Sequence, residues 1–205
     1  MKTFREYITE EEGKLGRLSI FDIDDTLFHT TAQIAVLKDG KVVSKLTNQE
    51  FNTYKLKDGE SFDFEEFRSA EKFNKESKPI SRMMERARAI LSHSARNPLS
   101  RVIVVTARAD FDNKHVFLDT FRKHKFDVDK VRVERAGNIN DIHSIATKKY
   151  VIIHNYLKTG KFDRCSLFDD GMSNLKEFLK LRKVFPDIKF EAYFAGADGS
   201  IKLIK

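Results

Sequence analysis

The segment Leu18–Phe28 constrains this chain most, because an apolar run leads directly into three carboxylates at Asp22, Asp24 and Asp25. The run before Asp22 is mostly apolar, which is typical of a β-strand covered on both faces and therefore of a parallel sheet. Open α/β sheets bind ligands at the carboxyl ends of their strands. Charges beside an apolar core must be paired or bound to a metal ion. The segment therefore predicts an α/β protein with a binding site just after this strand.

Two later apolar runs also end in polar side chains. The first is β-branched and ends at Thr106, with Arg108 two residues further on, and the second ends at the paired carboxylates Asp169 and Asp170. A hydroxyl at a strand end can donate to a phosphoryl oxygen, and an arginine can pair with phosphate. Periodicity also predicts helices over 79–93, 110–125, 144–158 and 173–182, and strands over 128–133, 189–195 and 201–204.

The segment from residue 28 to about 80 does not follow a regular βα pattern. Asp39 and Gly40 predict a hairpin between two short apolar runs, and the Asp-Gly pair at 58–59 predicts a second turn. Four phenylalanines then alternate with charged residues: Phe62, Phe64, Phe67 and Phe73. Such a mixture can stack nucleobases, although a small core built from large side chains is the more common explanation. We predict an inserted unit here.

Composition limits the partners of the chain. The 205 residues suffice for one core and a modest insertion, and the net charge of +7 favours anionic partners, with simple solubility as the alternative. The lone Cys165 excludes an intramolecular disulfide framework, and we expect a buried, inert thiol. No apolar run reaches 18 residues, so we expect no membrane span and a cytoplasmic location.

Residues 22–26 have the form Asp-x-Asp-x-Thr after a hydrophobic strand, which resembles the first motif of the haloacid dehalogenase (HAD) superfamily of phosphotransferases. The later order of a threonine strand, a lysine helix and a carboxylate-pair strand is also similar to that family, and the resemblance covers about residues 17–195. It implies a three-layer Rossmann-like fold with a parallel five-stranded core sheet. It further implies a HAD-like hydrolase domain over 17–205, with a small cap inserted at about 28–80.

The resemblance implies roles for the carboxylates. Asp22 would be the nucleophile that forms an aspartyl-phosphate, and Asp24 would be the general acid and base. Nucleophile and substrate are both anionic, so we expect Mg²⁺, held by Asp22, the backbone carbonyl of Asp24, and Asp169 or Asp170. The family pattern makes Asp170 the direct ligand and Asp169 its supporting partner. Asp25 is expected to be exposed and structural.

The same resemblance assigns residues that bind the phosphoryl group. Thr106 and a lysine at the start of the predicted 144–158 helix would neutralise and orient it, and Arg108 is added because an arginine near the strand end can pair with phosphate. Lys148 and Lys149 both stand there, and Lys149 leads a Lys-x-x-Ile pattern similar to that of phosphatases in the superfamily. Thr26 is expected to fix the loop after the first strand rather than to react.

Two other metal sites do not fit the residues. A calcium-binding EF-hand loop beginning at Asp22 needs glycine at its sixth position and glutamate at its twelfth. Leu27 and Gln33 stand at those positions. The six histidines have no His-Glu-x-x-His spacing and there is no cysteine pair, which argues against a zinc enzyme.

The sequence thus predicts a Mg²⁺-dependent phosphomonoesterase but leaves its substrate open. The layout from Thr106 to Asp170 resembles the 3′-phosphatase domain of phage polynucleotide kinase–phosphatases, which implies nucleotide or polynucleotide phosphate ends as substrates. A Gly-x4-Gly-Lys-Ser/Thr sequence is absent, so no kinase half is expected. Small-metabolite phosphates are an open alternative. A non-catalytic phage accessory protein that binds nucleic acid or a capsid component is another.

The first 16 residues read as a polar arm that includes a short amphipathic helix. Residues 1–10 are similar to the capsid-targeting leaders of some large tailed phages, which are cleaved after an Ile/Leu-x-Glu sequence, here Ile8 to Glu10. The resemblance implies a location in the host cytoplasm or the virion. We expect a mature protein that begins at Glu11. An intact mass of virion-derived protein that still includes Met1 would contradict this.

Overall fold

The computed structural model describes residues 15–51, 53–139 and 144–205. These residues form the strands β1 (Gly16–Phe21), β2 (Phe28–His29), β3 (Ile34–Lys38), β4 (Lys41–Leu46), β5 (Glu60–Asp63), β6 (Lys78–Pro79), β7 (Arg101–Thr106), β8 (Arg132–Arg135), β9 (Phe162–Asp169), β10 (Lys189–Ala195) and β11 (Ile201–Ile204). They also form the helices α1 (Asn48–Phe51), α2 (Glu65–Arg68), α3 (Ala70–Glu76), α4 (Ser81–Ser94), α5 (Lys114–Lys123), α6 (Ile145–Leu157) and α7 (Met172–Leu179).

A six-stranded sheet in the order β11-β10-β9-β1-β7-β8 forms the centre of the protein. Four of its five neighbouring pairings are parallel, and only β10 and β11 run antiparallel. The predicted α/β class with a mostly parallel sheet is therefore confirmed. The sheet has six strands where five were predicted for the core, because Ile201–Ile204 returns beside β10.

Both faces of this sheet are covered, as the apolar character of β1 predicts. Phe21 belongs to a core cluster that includes Met84 of α4 and Phe121 of α5. Leu18 and Ile20 belong to a second cluster, together with side chains of α6 and α7. Because successive residues of a strand point to opposite faces, these two clusters are the two sides of the sheet. The result is three layers, with helices on either side of the strands.

The register of the central strands determines where their polar ends lie. Phe21 is aligned with Val104 of β7 on one side and with Phe168 of β9 on the other. The strands are parallel, so the residues after Phe21 lie beside the carboxyl ends of both neighbours. This brings Asp22, at the end of β1, next to Asp169, the last residue of β9.

The segment predicted as an insertion forms a small unit, which we call the cap, and its helix α3 packs into the main core through Ala70 and Phe73. Strands β2 and β6 pair antiparallel at its base, and between them lie the sheet β4-β3-β5 and helices α1–α3. The predicted hairpin turn at Asp39 and Gly40 is confirmed, and both residues have positive φ angles of 50° and 73°. Its core is small: Ile34, Val36 and Leu46, with aromatic rings packed against them.

Two predicted elements differ from the structure. The strand expected over 128–133 is wrong, because Val128–Lys130 forms a 3-10 turn and β8 spans Arg132–Arg135, where it pairs with β7. The helix expected from residue 110 begins only at Lys114, because the side chain of Asn113 accepts hydrogen bonds from the backbone N–H groups of the first turn.

Cys165 is buried, as expected, and burial raises the pKa of its thiol. No helix among residues 15–51, 53–139 and 144–205 is long and apolar enough to cross a membrane. The predicted arm helix and the leader similarity fall mostly on residues 1–14, which lie outside the described residues.

Candidate active site

A buried lysine joins two carboxylates at the centre of the sheet edge. The Lys149 Nζ donates to Asp22 Oδ1 at 2.7 Å and to Asp169 Oδ2 at 2.8 Å. All three side chains are almost completely buried. Burial alone lowers the pKa of an ammonium group, but the charges of Asp169 and Asp22 outweigh it and raise the pKa of Lys149. The lysine is therefore held in its charged form between the two carboxylates.

Helix α6 explains why Lys149 rather than Lys148 reaches this position. The buried residues of α6 follow a helical stripe: Ala146, Lys149, Ile153 and Leu157. Ser144 caps the helix by accepting from the Thr147 N–H at 3.3 Å, which fixes the rotation of the first turn. Lys148, one residue away, is half-buried and lines the adjacent cleft.

Asp170 adds a third carboxylate to the cluster. Carboxylate oxygens of Asp22, Asp169 and Asp170 lie within 4.8 Å of one another. Burial, and then the charges of Asp169 and Asp25, raise the pKa of Asp170 to about 7. Burial also raises the pKa of Asp22 well above its ordinary value, despite the opposing charge of Lys149. Three carboxylates thus share one lysine, which leaves two excess negative charges when all are ionised.

The hydrogen bonds distinguish Asp169 from Asp170. Asp169 Oδ1 accepts from the Gly171 N–H and the Asn174 amide, each at 2.8 Å, while its Oδ2 accepts from Lys149. A Cβ at position 171 would lie only 2.9 Å from that Oδ1, so the close approach requires glycine. Among the described residues, Asp170 accepts only from the Thr26 hydroxyl, at 3.5 Å. Asp170 is therefore the carboxylate with room for a further ligand.

The loop after β1 is fixed from both sides. Thr26 is fully buried, and its hydroxyl oxygen accepts from the Asp170 N–H at 3.1 Å, so Thr26 joins this loop to the loop after β9. Asp25, expected to be exposed, is half-buried and has a positive φ of 55°. The side-chain amide of Asn48 donates to Asp25 at 3.2 Å, which explains why Asp25 is drawn away from solvent.

Asp24 is held by Arg108. The Arg108 Nε and Nη2 donate to the two Asp24 oxygens at 2.9 and 2.6 Å, and the Thr30 hydroxyl also donates to Asp24. Arg108 was predicted to bind phosphate, and the structure places its guanidinium against Asp24 instead. Thr106, predicted for the same task, is fully buried and accepts from the Arg108 N–H at 3.1 Å. Phosphate binding by these two residues therefore stays a prediction.

Arg108 also connects the cap to the part of the protein that contains the central sheet, which we call the core domain. Its Nη1 donates to the Phe67 carbonyl at 2.9 Å, and its guanidinium lies 4.8 Å from the centroids of the Phe67 and Phe73 rings and 5.4 Å from that of Phe111. A cation over aromatic faces is attracted by the ring electrons, more strongly where water is excluded. Arg108 is buried, so the position of Asp24 depends on the packing of Phe67 and Phe73 of the cap and of Phe111 of the core domain.

A cleft of about 1470 Å³ opens above these groups. The core domain contributes Asp22, Asp24, Asp170 and Lys148 to its lining. The cap contributes aromatic side chains and one cation: Phe51, Phe62, Phe64, Phe67 and Arg68. Pockets for small organic ligands are commonly about 300–1,000 Å³, so this cleft has space for a substrate far larger than a phosphate ion.

Sequence reasoning missed three residues that support the cluster: Thr30, Asn174 and Gly171. Asn174 lies in the first turn of α7, five residues after Asp169, and a polar residue at that spacing after a strand-end carboxylate could have indicated it. Thr30 gives no comparable signal, because its contact with Asp24 depends on the path of the loop after β1.

The arrangement can bind a hard cation beside a carboxylate that faces an open cleft. Carboxylate oxygens are the ligands that Mg²⁺ prefers, and it commonly uses one or two of them together with substrate phosphate. Asp22 lines the cleft, so it can meet a ligand that enters there. A comparison of this chain with protein-family models and with curated proteins found no match.

Proposed function

We propose that this protein is a Mg²⁺-dependent phosphomonoesterase of the HAD type that acts through an aspartyl-phosphate on Asp22. The observation that carries the proposal is the cluster of Asp22, Asp169 and Asp170 oxygens within 4.8 Å, paired with one buried lysine. Lys149 binds Asp22 and Asp169 at once, which suits a nucleophile that must be held in place and kept from repelling its substrate.

The residues fit a divalent cation by charge and by chemistry. One Mg²⁺ would balance the two excess negative charges of the buried cluster. Without the ion, protonation of the carboxylates must offset these charges. Asp22 and Asp170 would hold the ion with the backbone carbonyl of Asp24, and Asp169, whose oxygens already accept hydrogen bonds, would support them. When bound, the ion would neutralise the phosphoryl oxygens and help to orient them.

The reaction consists of two transfers of the phosphoryl group, first to an oxygen of Asp22 and then to water. In the first, an Asp22 oxygen attacks phosphorus, the bond from phosphorus to the leaving oxygen breaks, and Asp24 gives that oxygen a proton. In the second, water attacks phosphorus, the bond to Asp22 breaks, and Asp24 takes the proton of the water. Lys149 stays beside Asp22 throughout and offsets the charge that collects there.

Asp24 must change partners to act in this way. Both of its oxygens accept hydrogen bonds from Arg108, and Thr30 adds another. To deliver a proton, Asp24 must therefore give up one of these hydrogen bonds and contact the leaving oxygen instead. Substrate in the cleft would supply that competing partner, since Asp24 and Arg108 both line it.

Phosphate release with and without Mg²⁺ tests the proposal. The panel would hold an aryl phosphate, nucleoside 5′- and 3′-monophosphates, sugar phosphates and a 3′-phosphorylated oligonucleotide. We expect turnover that requires Mg²⁺. A protein that only binds nucleic acid would give no turnover and a salt-sensitive affinity for DNA or RNA.

We expect Mg²⁺ to raise the melting temperature more at pH 8 than at pH 5.5. The pKa of Asp170 is about 7 when folded, against roughly 3.9 for an unfolded aspartate. Between these values the folded state binds more protons than the unfolded state, so the metal-free protein loses stability as pH rises. Mg²⁺ binds the deprotonated carboxylates. At roughly 100 times its Kd it adds about 2.7 kcal/mol, or about 5–10 °C for a chain of this size.

Thermal melts at matched ionic strength would measure this difference. NaCl that replaces MgCl₂ at equal ionic strength is the control, because it screens charge without occupying the cluster. Equal Mg²⁺ shifts at both pH values, or none at either, would contradict a metal site built from these carboxylates.

A further inference from the structure

The aromatic surface of the cap faces the same cleft as the carboxylates. Phe51, Phe62 and Phe64 pack edge to face or tilted, with centroids 4.8 to 6.1 Å apart. Phe51 and Phe62 are half-buried against the small core of the cap. Phe64 is 44% exposed although it lines the cleft. All three rings line the cleft, and Phe64 is the most exposed of them.

The backbone that carries Phe64 is anchored to both parts of the protein. It directly follows β5, which pairs with β3 inside the cap. On its other side, the Phe67 carbonyl accepts from Arg108 at 2.9 Å and the Arg68 carbonyl accepts from the Asp112 N–H at 3.0 Å. The backbone at Phe64 is thus tied to the cap sheet on one side and to Arg108 and Asp112 on the other.

Polar side chains line the cleft together with this ring. Asp63 and Glu65 flank Phe64 in sequence and line the cleft with it, and they can accept hydrogen bonds. Arg68 and Lys148 line the same cleft as cations. An acyl chain would need a continuous apolar surface and would leave these groups unpaired. A planar heterocycle offers a face to Phe64 and polar edges to its neighbours.

We propose that Phe64 stacks the nucleobase of a phosphorylated nucleoside whose phosphate lies at Asp22. The inference rests on the proposed function and specifies its substrate class. A free nucleoside monophosphate and the phosphorylated end of a nucleic acid share this chemistry. The size of the cleft, about 1470 Å³, accommodates the base and sugar together with the phosphate.

The test compares substrates with and without a base. We expect Phe64→Ala to lower kcat/KM for nucleoside monophosphates by roughly 10- to 100-fold more than for ribose 5-phosphate, mainly through KM. Phe64→Trp should retain the preference for the base, whereas Phe64→Leu should lose most of it. Leu56→Ala is the matched control, because Leu56 is also 44% exposed and belongs to the cap but does not line the cleft.

Equilibrium binding separates this inference from the proposed function. Calorimetry with Asp22→Asn protein and Mg²⁺ would compare a nucleoside monophosphate, ribose 5-phosphate and a 3′-phosphorylated oligonucleotide, each with and without Phe64→Ala. A base preference that Phe64→Ala removes supports the inference even if no substrate is turned over. Equal losses for ligands with and without a base, or no preference in the first place, would overturn it. The tighter of the nucleotide and oligonucleotide identifies the natural source.

Discussion

Asp22→Asn is expected to reduce Mg²⁺-dependent phosphate release by roughly 10⁴-fold or more, as removal of a covalent nucleophile does in other enzymes. Asparagine keeps the shape of the side chain and can still accept from Lys149, but it cannot form an aspartyl-phosphate. Steady-state phosphate release and circular dichroism of the same preparation would measure the loss and confirm that the fold is retained.

Asp25→Asn is the matched control for this variant. It makes the same chemical change three residues away, in the same loop. Asparagine tolerates the positive φ of 55° that Asp25 adopts. Asp25 accepts from Asn48 and lies outside the cluster of three carboxylates. We expect it to retain most of the activity. Turnover near the wild-type level in Asp22→Asn would exclude the covalent mechanism.

Lys149→Met should lower the free energy of unfolding by about 3–5 kcal/mol at pH 8 without Mg²⁺, because it leaves buried carboxylates without their cation. The loss should be smaller at pH 5.5, because burial raises the pKa of both Asp22 and Asp170 and protonation there removes negative charge from the cluster. Mg²⁺ should restore part of it at pH 8 for the same electrostatic reason. Urea unfolding at the two pH values, with and without Mg²⁺, would measure these differences.

Lys148→Met provides the comparison, since the two lysines are adjacent but only Lys149 is buried. We expect Lys148→Met to change the free energy of unfolding by no more than about 0.5 kcal/mol, the usual range for a surface substitution. If Lys149→Met does not fold at pH 8, its folding at pH 5.5 still reports the pH dependence. Losses that do not depend on pH would contradict the ion-pair explanation.

Much of the fold could be predicted because local patterns and tertiary structure agree. Each predicted strand end at Asp22, Thr106 and Asp169 coincides with the end of a strand in the sheet. The hairpin at Asp39 was predictable because the turn chemistry is local. The strand predicted over 128–133 was placed too early, because Val128 belongs to a 3-10 turn and only Arg132–Arg135 pair with β7.

The sequence predicted where the candidate site lies but not which of its side chains pair with one another. Parallel strands bring their carboxyl ends together, so Asp22, Thr106 and Asp169 could be expected at one edge. Lys149 was expected there only from the family resemblance. The pairing of Arg108 with Asp24 could not, because it depends on two loop paths and on the aromatic rings around the guanidinium. The sequence likewise could not distinguish a Phe64 that lines a cleft from one buried in the cap core.

The cap is joined to the rest of the protein at Phe67, at Asn48 and through α3, whereas Gly40 at its hairpin turn has open space around it, and this difference has a consequence for experiments and for evolution. At Phe67 the cap is joined to Arg108, which also holds Asp24, so substitutions at Phe67 would change the position of Asp24. At the opposite end, the β3–β4 hairpin exposes Val42 and Val43 and lies at the edge of its small sheet. Insertions at Asp39 and Gly40 should therefore be tolerated. That turn is the place to attach a label or to find extra residues in related chains.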